Sequence, residues 1–459
     1  VLPIGYEGLL QKLSNKEITH EEMASEYEKM ARQNTDWFDI LFRNSFNHSH
    51  SLGISGGSEK IQNRTSFGFI QENGMTQFTA SSNTTINLWD RVTINMLLNG
   101  SVREVDGFAY GVDPFNYAYN TSRTIPAYNE DGSWFFYDYE AGYTDIPLPY
   151  NVFNELHHSG AEDKTRSVNT NINLDYKFAS WLSANAVLSY NTSSTKRESW
   201  YGERSYMVST YRQLPYGYDK NQLGENLDNY RNNVCQIPYG GILNTNTNEA
   251  DSFTARVSFS VNKSFNDVHS LSLVGGLDMQ SQKAKGYKKE DWGYLPERGQ
   301  KFVSISRLDD WREAALRMVQ MKPTITDATN NSIAYYGSLS YAYKGKYIMS
   351  ANIRGEGSNK LGEQARFLPI WSVSARWNVT DERFMEPLLN VISNLGIRSS
   401  YGIQANVTDA HNPNMIISLG KLYSNSEEYS ASLLQLPNPD LEWEKTNSFN
   451  LGVDFDFFK

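Results

Sequence analysis

One cysteine, Cys235, is present in 459 residues. An internal disulfide is therefore impossible, which excludes a disulfide-stapled scaffold but leaves the compartment open. Cys235 itself reads as a loop residue without chemistry. The chain also lacks any apolar run of about 18 residues, so it contains no membrane-spanning α-helix. A β-barrel survives that test, because only alternate residues of its strands meet lipid. A mean hydropathy of −0.56 is compatible with one. Excess positive charge is missing too: 42 Lys and Arg stand against 52 Asp and Glu, giving a net charge of −10. Without a basic footprint, nucleic acid is not an expected partner.

Catalytic signatures are equally scarce. There is no phosphate-binding loop, nucleophile elbow, zinc-helix motif or EF-hand spacing. His48 and His50 lie two apart on an expected strand and share a face, but no third metal ligand accompanies them. His157-His158 falls in a loop, and the pairs Asp309-Asp310 and Glu427-Glu428 are too common a pattern to imply acid–base work. We therefore expect no enzyme, no cofactor and no metal centre. No initiator Met or signal peptide is evident. The chain runs from Val1 to Lys459 and stops in mid-pattern, as a portion of a longer protein would.

Aromatic residues, by contrast, are plentiful at 13%, with 29 Tyr and 10 Trp. Such a composition favours an all-β fold with polar loops. Residues 1–46 form the exception and read as a helical segment. Thr19 and Glu22 have capping-box spacing ahead of "HEEMASEYEKMARQ". A second short helix in "NTDWFDILF" opens at Asn34, Thr35 or Asp36.

From residue 47 to 459 the apolar period is two. In 168–176, Val168, Thr170, Ile172, Leu174 and Tyr176 oppose Asn169, Asn171, Asn173 and Asp175. In 449–457, Phe449, Leu451, Val453, Phe455 and Phe457 oppose Asn450, Gly452, Asp454 and Asp456. About thirteen strands of roughly nine to eleven residues follow, the length that crosses a bilayer when tilted. Short turns at 56–61, 89–91, 178–181, 262–267 and 344–346 alternate with long polar stretches at about 102–166, 192–250, 281–331 and 404–442. Segment 380–394 reads as a short-side turn carrying a small insertion, and "QENGM" at 71–75 reads as the start of the next outside loop.

Trp89, Tyr176, Trp181, Tyr343, Tyr347, Trp377 and Phe457 gather at the short-turn ends, where a membrane-interface girdle would sit. An antiparallel transmembrane β-barrel and a soluble β-sandwich with one aromatic end both fit this pattern. Under the barrel reading Leu52, Ile54, Phe67 and Phe69 face lipid. The polar face then lines a lumen with Asn171, Asn173, Arg256, Arg354, Arg376, Arg398 and Asp454. In 108–153 and 199–218, Tyr, Phe and Trp interleave with Asp, Glu and Asn, a texture that suits sugar rings or peptides. The first candidates for substrate contact are Trp134, Tyr137, Tyr139, Trp200 and Tyr201.

Several stretches carry a more specific signal. "NTDWFDILF" followed by "HSLGISGGSEKIQNRTSFGFIQENGM" resembles the SusC/RagA-type TonB-dependent transporters. So do "DPFNYAYNTSRTIPAYNEDGS", "SLSYAYKGKYIMSANIRGEGSNKLGEQARFLPIWSVSARWNVTDERFM" and "LPNPDLEWEKTNSFNLGVDFDF". The resemblance implies an outer-membrane barrel of about 22 strands around a plug domain in a Gram-negative bacterium. It also implies energy drawn from the TonB complex through the plug, and a SusD-type surface lipoprotein acting as a lid. The cargo would be oligosaccharides or, in some members, peptides. No stretch here resembles the plug, so the resemblance covers a partial barrel only. A soluble β-rich glycan-binding or adhesin protein is the alternative of another class. An outer-membrane enzyme would need a catalytic set that the sequence does not offer.

Overall fold

The computed structural model describes residues 5–304, 309–361, 366–406, 414–423, 425–438 and 443–457. One antiparallel sheet holds thirteen strands in chain order, and the two residues Lys301–Phe302 pair beside its path with Tyr294 and Leu295. The thirteen are β1 His48–Gly57, β2 Ile61–Glu72, β3 Met75–Leu88, β4 Val92–Gly107, β5 Ser159–Ala179, β6 Leu182–Tyr201, β7 Gly241–Phe265, β8 His269–Leu295, β9 Thr324–Tyr343, β10 Tyr347–Ser358, β11 Phe367–Asn378, β12 Ile392–Asn406 and β13 Glu444–Phe457. Among the described residues β1 and β13 each have one neighbour, so the sheet is open at both edges.

The two faces differ as the period of two requires. Leu182, Val261, Leu273, Leu339, Ala351, Val373, Tyr401 and Phe449 are successive cross-strand partners, forming one lateral apolar row from β6 to β13. The row Ile94, Leu174, Ala186, Val257, Leu277 and Tyr335 runs parallel to it. No second layer covers these rows among the described residues: Val257, Leu277, Leu339 and Phe449 are all exposed. A sandwich would bury such a face, whereas a barrel wall turns it to lipid. Leu52, Ile54 and Phe67 are likewise exposed and share this outward face, as does Phe69.

One end of the sheet is closed by tight turns. At Trp89-Asp90, Asn266-Asp267 and Lys344-Gly345 both residues have positive φ. That is the mirror-image turn whose twist matches a two-residue hairpin. Rings of Tyr343, Tyr347 and Trp377 stack in sequence at this end, with centroids 6.4 Å apart at each step. A larger connection at this end, 379–391, is a pair of 3₁₀ turns. It is tied down by Glu382, which accepts from Tyr347 Oη at 2.6 Å and Lys346 Nζ at 3.2 Å. The tyrosine hydroxyl lowers the Glu382 pKa most, with Lys346 adding to it.

Three expectations change. First, the strands are not nine to eleven residues: β5 has 21, β7 has 25 and β8 has 27. At about 3.4 Å per residue, β8 alone reaches some 90 Å. The extra length lies at the long-loop end and is largely polar on both faces until the tips at Tyr201, Ile242 and Trp292, so pairing continues after the hydrophobic alternation has stopped. Second, the connection at "QENGM" breaks the regular alternation of short and long loops. Glu72 pairs with Met75 across a two-residue turn in which Gly74 has φ of +78°. Third, helices are not confined to residues 1–46. Seven-residue helices at Pro114–Asn120, Val152–His158 and Tyr206–Arg212 are capped by Asp113, Asn151 and Ser205, and Arg312–Gln320 adds another. They are too short to show an apolar period. The expected capping box is present, with Glu22 N–H donating to Thr19 Oγ1 at 3.2 Å and Thr19 N–H to Glu22 Oε2 at 2.8 Å. Asp36 opens the helix Trp37–Leu41.

Candidate functional site

Among the described residues the closed cores lie in the long connections. Their floor is the inward face of the strand tips. Tyr201 of β6, Ile242 of β7 and Trp292 of β8 share that face and pack under Ala109, Val112, Val208 and Ile237. The connections 108–158 and 202–240 therefore fold inward over the mouth of the wall. A second core joins Trp37 from the N-terminal segment to Ala118, Ile125, Ala127 and Val152. Thr35 Oγ1 donates to the Ile125 carbonyl at 2.7 Å, Trp37 Nε1 to that of Ser122 at 3.2 Å, and Arg123 pairs with Asp36 at 2.9 Å. A third core gathers Leu214, Leu223, Tyr230, Cys235, Trp311 and Ala314. Cys235 is fully buried there, and burial raises its thiol pKa.

Apart from His158, expected in a loop and found at the end of the helix Val152–His158, sequence reasoning left the next groups in this canopy unnoticed. Glu155 is 2% exposed. Its Oε1 accepts from Asn154 Nδ2 at 2.9 Å and from Tyr206 N–H at 2.6 Å, tying the helix Val152–His158 to Tyr206–Arg212. Burial holds this carboxyl above the usual carboxylate range. His158 pairs with Glu297. Buried Arg212 donates to the carbonyls of Ile237 and Glu203, and burial depresses its pKa. Lys220 lies between the rings of Tyr239 and Trp311, 4.6 and 4.7 Å from their centroids. Burial lowers its pKa. No motif marks these residues; they meet only because the loops fold.

The predicted aromatic contacts separate into two kinds. Trp134 is half-buried, stacks on Phe153 at 6.2 Å, and lines an open cleft of about 600 Å³ with Asn129, Gly132, Ser133 and Phe136. Tyr137 and Tyr139 are half-buried in a chain of rings with Tyr150 and Tyr206. Burial raises the pKa of the Tyr137 and Tyr150 phenols. Tyr201 is 4% exposed and donates to the Tyr110 carbonyl, so it holds the floor rather than presenting a face. Trp200 shares the outward parity of Leu188 and lies across Gly160, where its ring would touch any added Cβ at 2.5 Å.

The polar residues expected along the lumen all occupy the face opposite the apolar rows. Asn171 and Asn173 stand there on β5. Asn185 Nδ2 bridges Asn173 Oδ1 at 2.7 Å and Asp175 Oδ1 at 2.8 Å. Arg256 pairs with Asp278 at 2.8 Å, and Arg354 with Glu356 at 2.9 Å. Arg376 and Arg398 share Asp454, at 2.9 and 3.5 Å. The wall thus offers a continuous polar surface of amides and paired charges. Among the described residues no cluster of His, Cys, Asp or Glu has metal-binding geometry.

Comparison with known proteins agrees with this architecture. Residues 89–459 match a family model described as TonB dependent receptor-like, beta-barrel. The TonB-dependent receptor SusC of Bacteroides thetaiotaomicron is 26% identical over 453 residues, covering 92% of this chain and 41% of the relative. The TonB-dependent receptor P26 of Formosa agariphila is 22% identical over 434 residues, covering 93% and 39%. The chain therefore spans about two-fifths of the length of these relatives. The solved structure of the RagAB peptide transporter superposes with a TM-score of 0.66 at 15% identity, over 93% of this chain and 44% of that one. The chain belongs to the TonB-dependent receptor-like β-barrel family.

Proposed function

We propose that this chain forms part of the wall and mouth of an outer-membrane importer for oligosaccharides, driven through TonB and capped by a SusD-type surface lipoprotein. The observation that supports it best is the division of labour across one sheet. The outward rows are apolar and uncovered, the inward face is amide-rich and ion-paired, and aromatic loops fold over one end only. Lipid does not tolerate the unpaired edges of β1 and β13, so the working barrel closes with further strands. Substrate enters beside the Trp134 cleft and the Tyr137–Tyr139 rings, then passes along the inward face. Flat rings beside amides suit sugars, which pair apolar C–H faces with hydroxyl rims. A peptide cargo is the second reading, since the same rings and the lumen ion pairs also suit a peptide backbone with charged side chains.

The test is uptake by the full-length protein carrying Trp134→Ala, Tyr137→Ala and Tyr139→Ala together. The expected outcome is normal outer-membrane assembly with uptake of labelled oligosaccharide reduced at least several-fold. Unchanged uptake would remove the loop aromatics from the path. Competition by peptides but not by oligosaccharides would favour the second reading.

A further inference from the structure

The outward face carries a depression that transport does not use. Across β1–β5 the cross-strand row Leu52, Phe67, Ala80, Gly100 and Val168 has its smallest side chains in the middle. A Cβ added to Gly100 would meet nothing nearer than the Ser167 carbonyl, 4.0 Å away. The row above contains Phe69 and Phe78, whose rings lie 5.0 Å apart. Together they wall a groove of about 710 Å³ that opens away from the lumen.

The upper end of this groove is charged. Along the outward face of β5, Tyr176, Leu174, Ile172, Thr170 and Val168 precede Arg166. Arg166 is thus the first charged residue met above the apolar band, at the level where hydrocarbon gives way to headgroups. It is exposed and has no ion pair or hydrogen bond among the described residues, whereas the next outward cation, Lys164, is paired with Glu104. His50 of β1 stands in the same lateral row at the other side of the groove.

We infer that this groove binds a phosphate-bearing acyl lipid of the leaflet that faces the loops. One acyl chain lies over Ala80 and Gly100 between the phenylalanine rings. The phosphate is held by Arg166. An apolar trough as long as part of a chain, ending in an unpaired guanidinium at headgroup depth, complements an anionic amphiphile. A neutral lipid would leave Arg166 unanswered. The inference rests on the outer-membrane reading of the sheet.

The experiment uses the full-length protein extracted from outer membranes in mild detergent, with bound lipid counted by native mass spectrometry. The probe is lipid A, a phosphorylated and acylated glucosamine disaccharide, compared with its dephosphorylated form. Wild type should retain lipid A through purification. Arg166→Gln should weaken lipid A retention about fivefold, the scale of one cation near an anionic surface, and leave the dephosphorylated form unaffected. Gly100→Leu adds bulk to the groove at a position whose Cβ would meet nothing nearer than 4.0 Å, and should abolish retention of both. Equal retention by wild type and Gly100→Leu overturns the groove, and equal binding of both probes by wild type overturns phosphate recognition. Lipid-free dimers that Gly100→Leu dissociates would assign the groove to a second copy of the protein instead. Recovery of the protein in the soluble fraction would overturn the outer-membrane reading itself, a result distinct from an embedded barrel that retains no lipid.

Discussion

The Glu155 carboxylate accepts the backbone N–H of Tyr206 at 2.6 Å, joining two loop helices 51 residues apart in sequence. The same oxygen also accepts from Asn154, and the carboxyl is almost wholly enclosed. Burial raises its pKa in the folded canopy above the ordinary value of 4.5. A group whose folded pKa is raised stabilises fully below its unfolded pKa, and that contribution is lost as pH rises through the folded value. The canopy should therefore loosen as pH climbs from about 4.5 through the raised pKa. Glu155→Gln keeps the accepting oxygen and removes the charge. Hydrogen exchange at Tyr206–Arg212, compared with wild type at each pH, should show equal protection at acid pH and greater protection in the variant at neutral pH. A constant ratio across pH would refute the assignment.

Arg376 and Arg398 are direct cross-strand partners, and Asp454 sits between their guanidinium groups. Like charges directly opposite are destabilising, so Asp454→Ala should cost about 1 kcal/mol in denaturant unfolding of the detergent-solubilised protein. Added salt should shrink the difference, because all three side chains are partly exposed. A loss that does not respond to salt would point to packing instead.

Leu273 and Ser272 are neighbours in β8 that face opposite ways. Leu273→Arg places a cation on the apolar row and should cost about 2–4 kcal/mol if it lies near the bilayer midplane. Ser272→Arg, on the polar face, should be nearly neutral. Equal assembly yields for the two variants in outer-membrane fractions would contradict the orientation of the wall.

Trp311 is 3% exposed and carries Lys220 on its ring. Trp311→Ala should destabilise the canopy by about 3–5 kcal/mol, as large core truncations do. Limited proteolysis should then cut within 202–240 while the barrel keeps its resistance. Unaltered cleavage would mean that this core does not hold the loop.

The strand order and the facing of each side chain are legible in the sequence, since a period of two states which residues share a face. Val168, Ile172 and Leu174 separate from Asn169, Asn171 and Asn173 by alternation alone. The strand ends do not. Beyond the apolar rows both faces of β7 and β8 are largely polar, so Asn244–Asp251 and Gln282–Glu290 show no alternation although every residue is paired. Trp134 is legible as a ring beside polar neighbours. Tyr201 has the same local texture, yet burial under Val208 and Ile237 gives it another role, and burial of that kind depends on contacts remote in sequence. Asn73-Gly74 is the plainest turn signal in the chain; the expectation of regular alternation in loop length hides it.

The long paired extensions of β5 to β9 separate two jobs within one polypeptide. They act as a stiff collar between the lipid-facing rows and the loops, so canopy residues sit tens of ångströms from the residues that govern membrane insertion. Loop sequence is thereby released from the demands of barrel assembly. Under the proposed function, the surface that meets cargo can then be exchanged while the apolar rows and their register stay untouched.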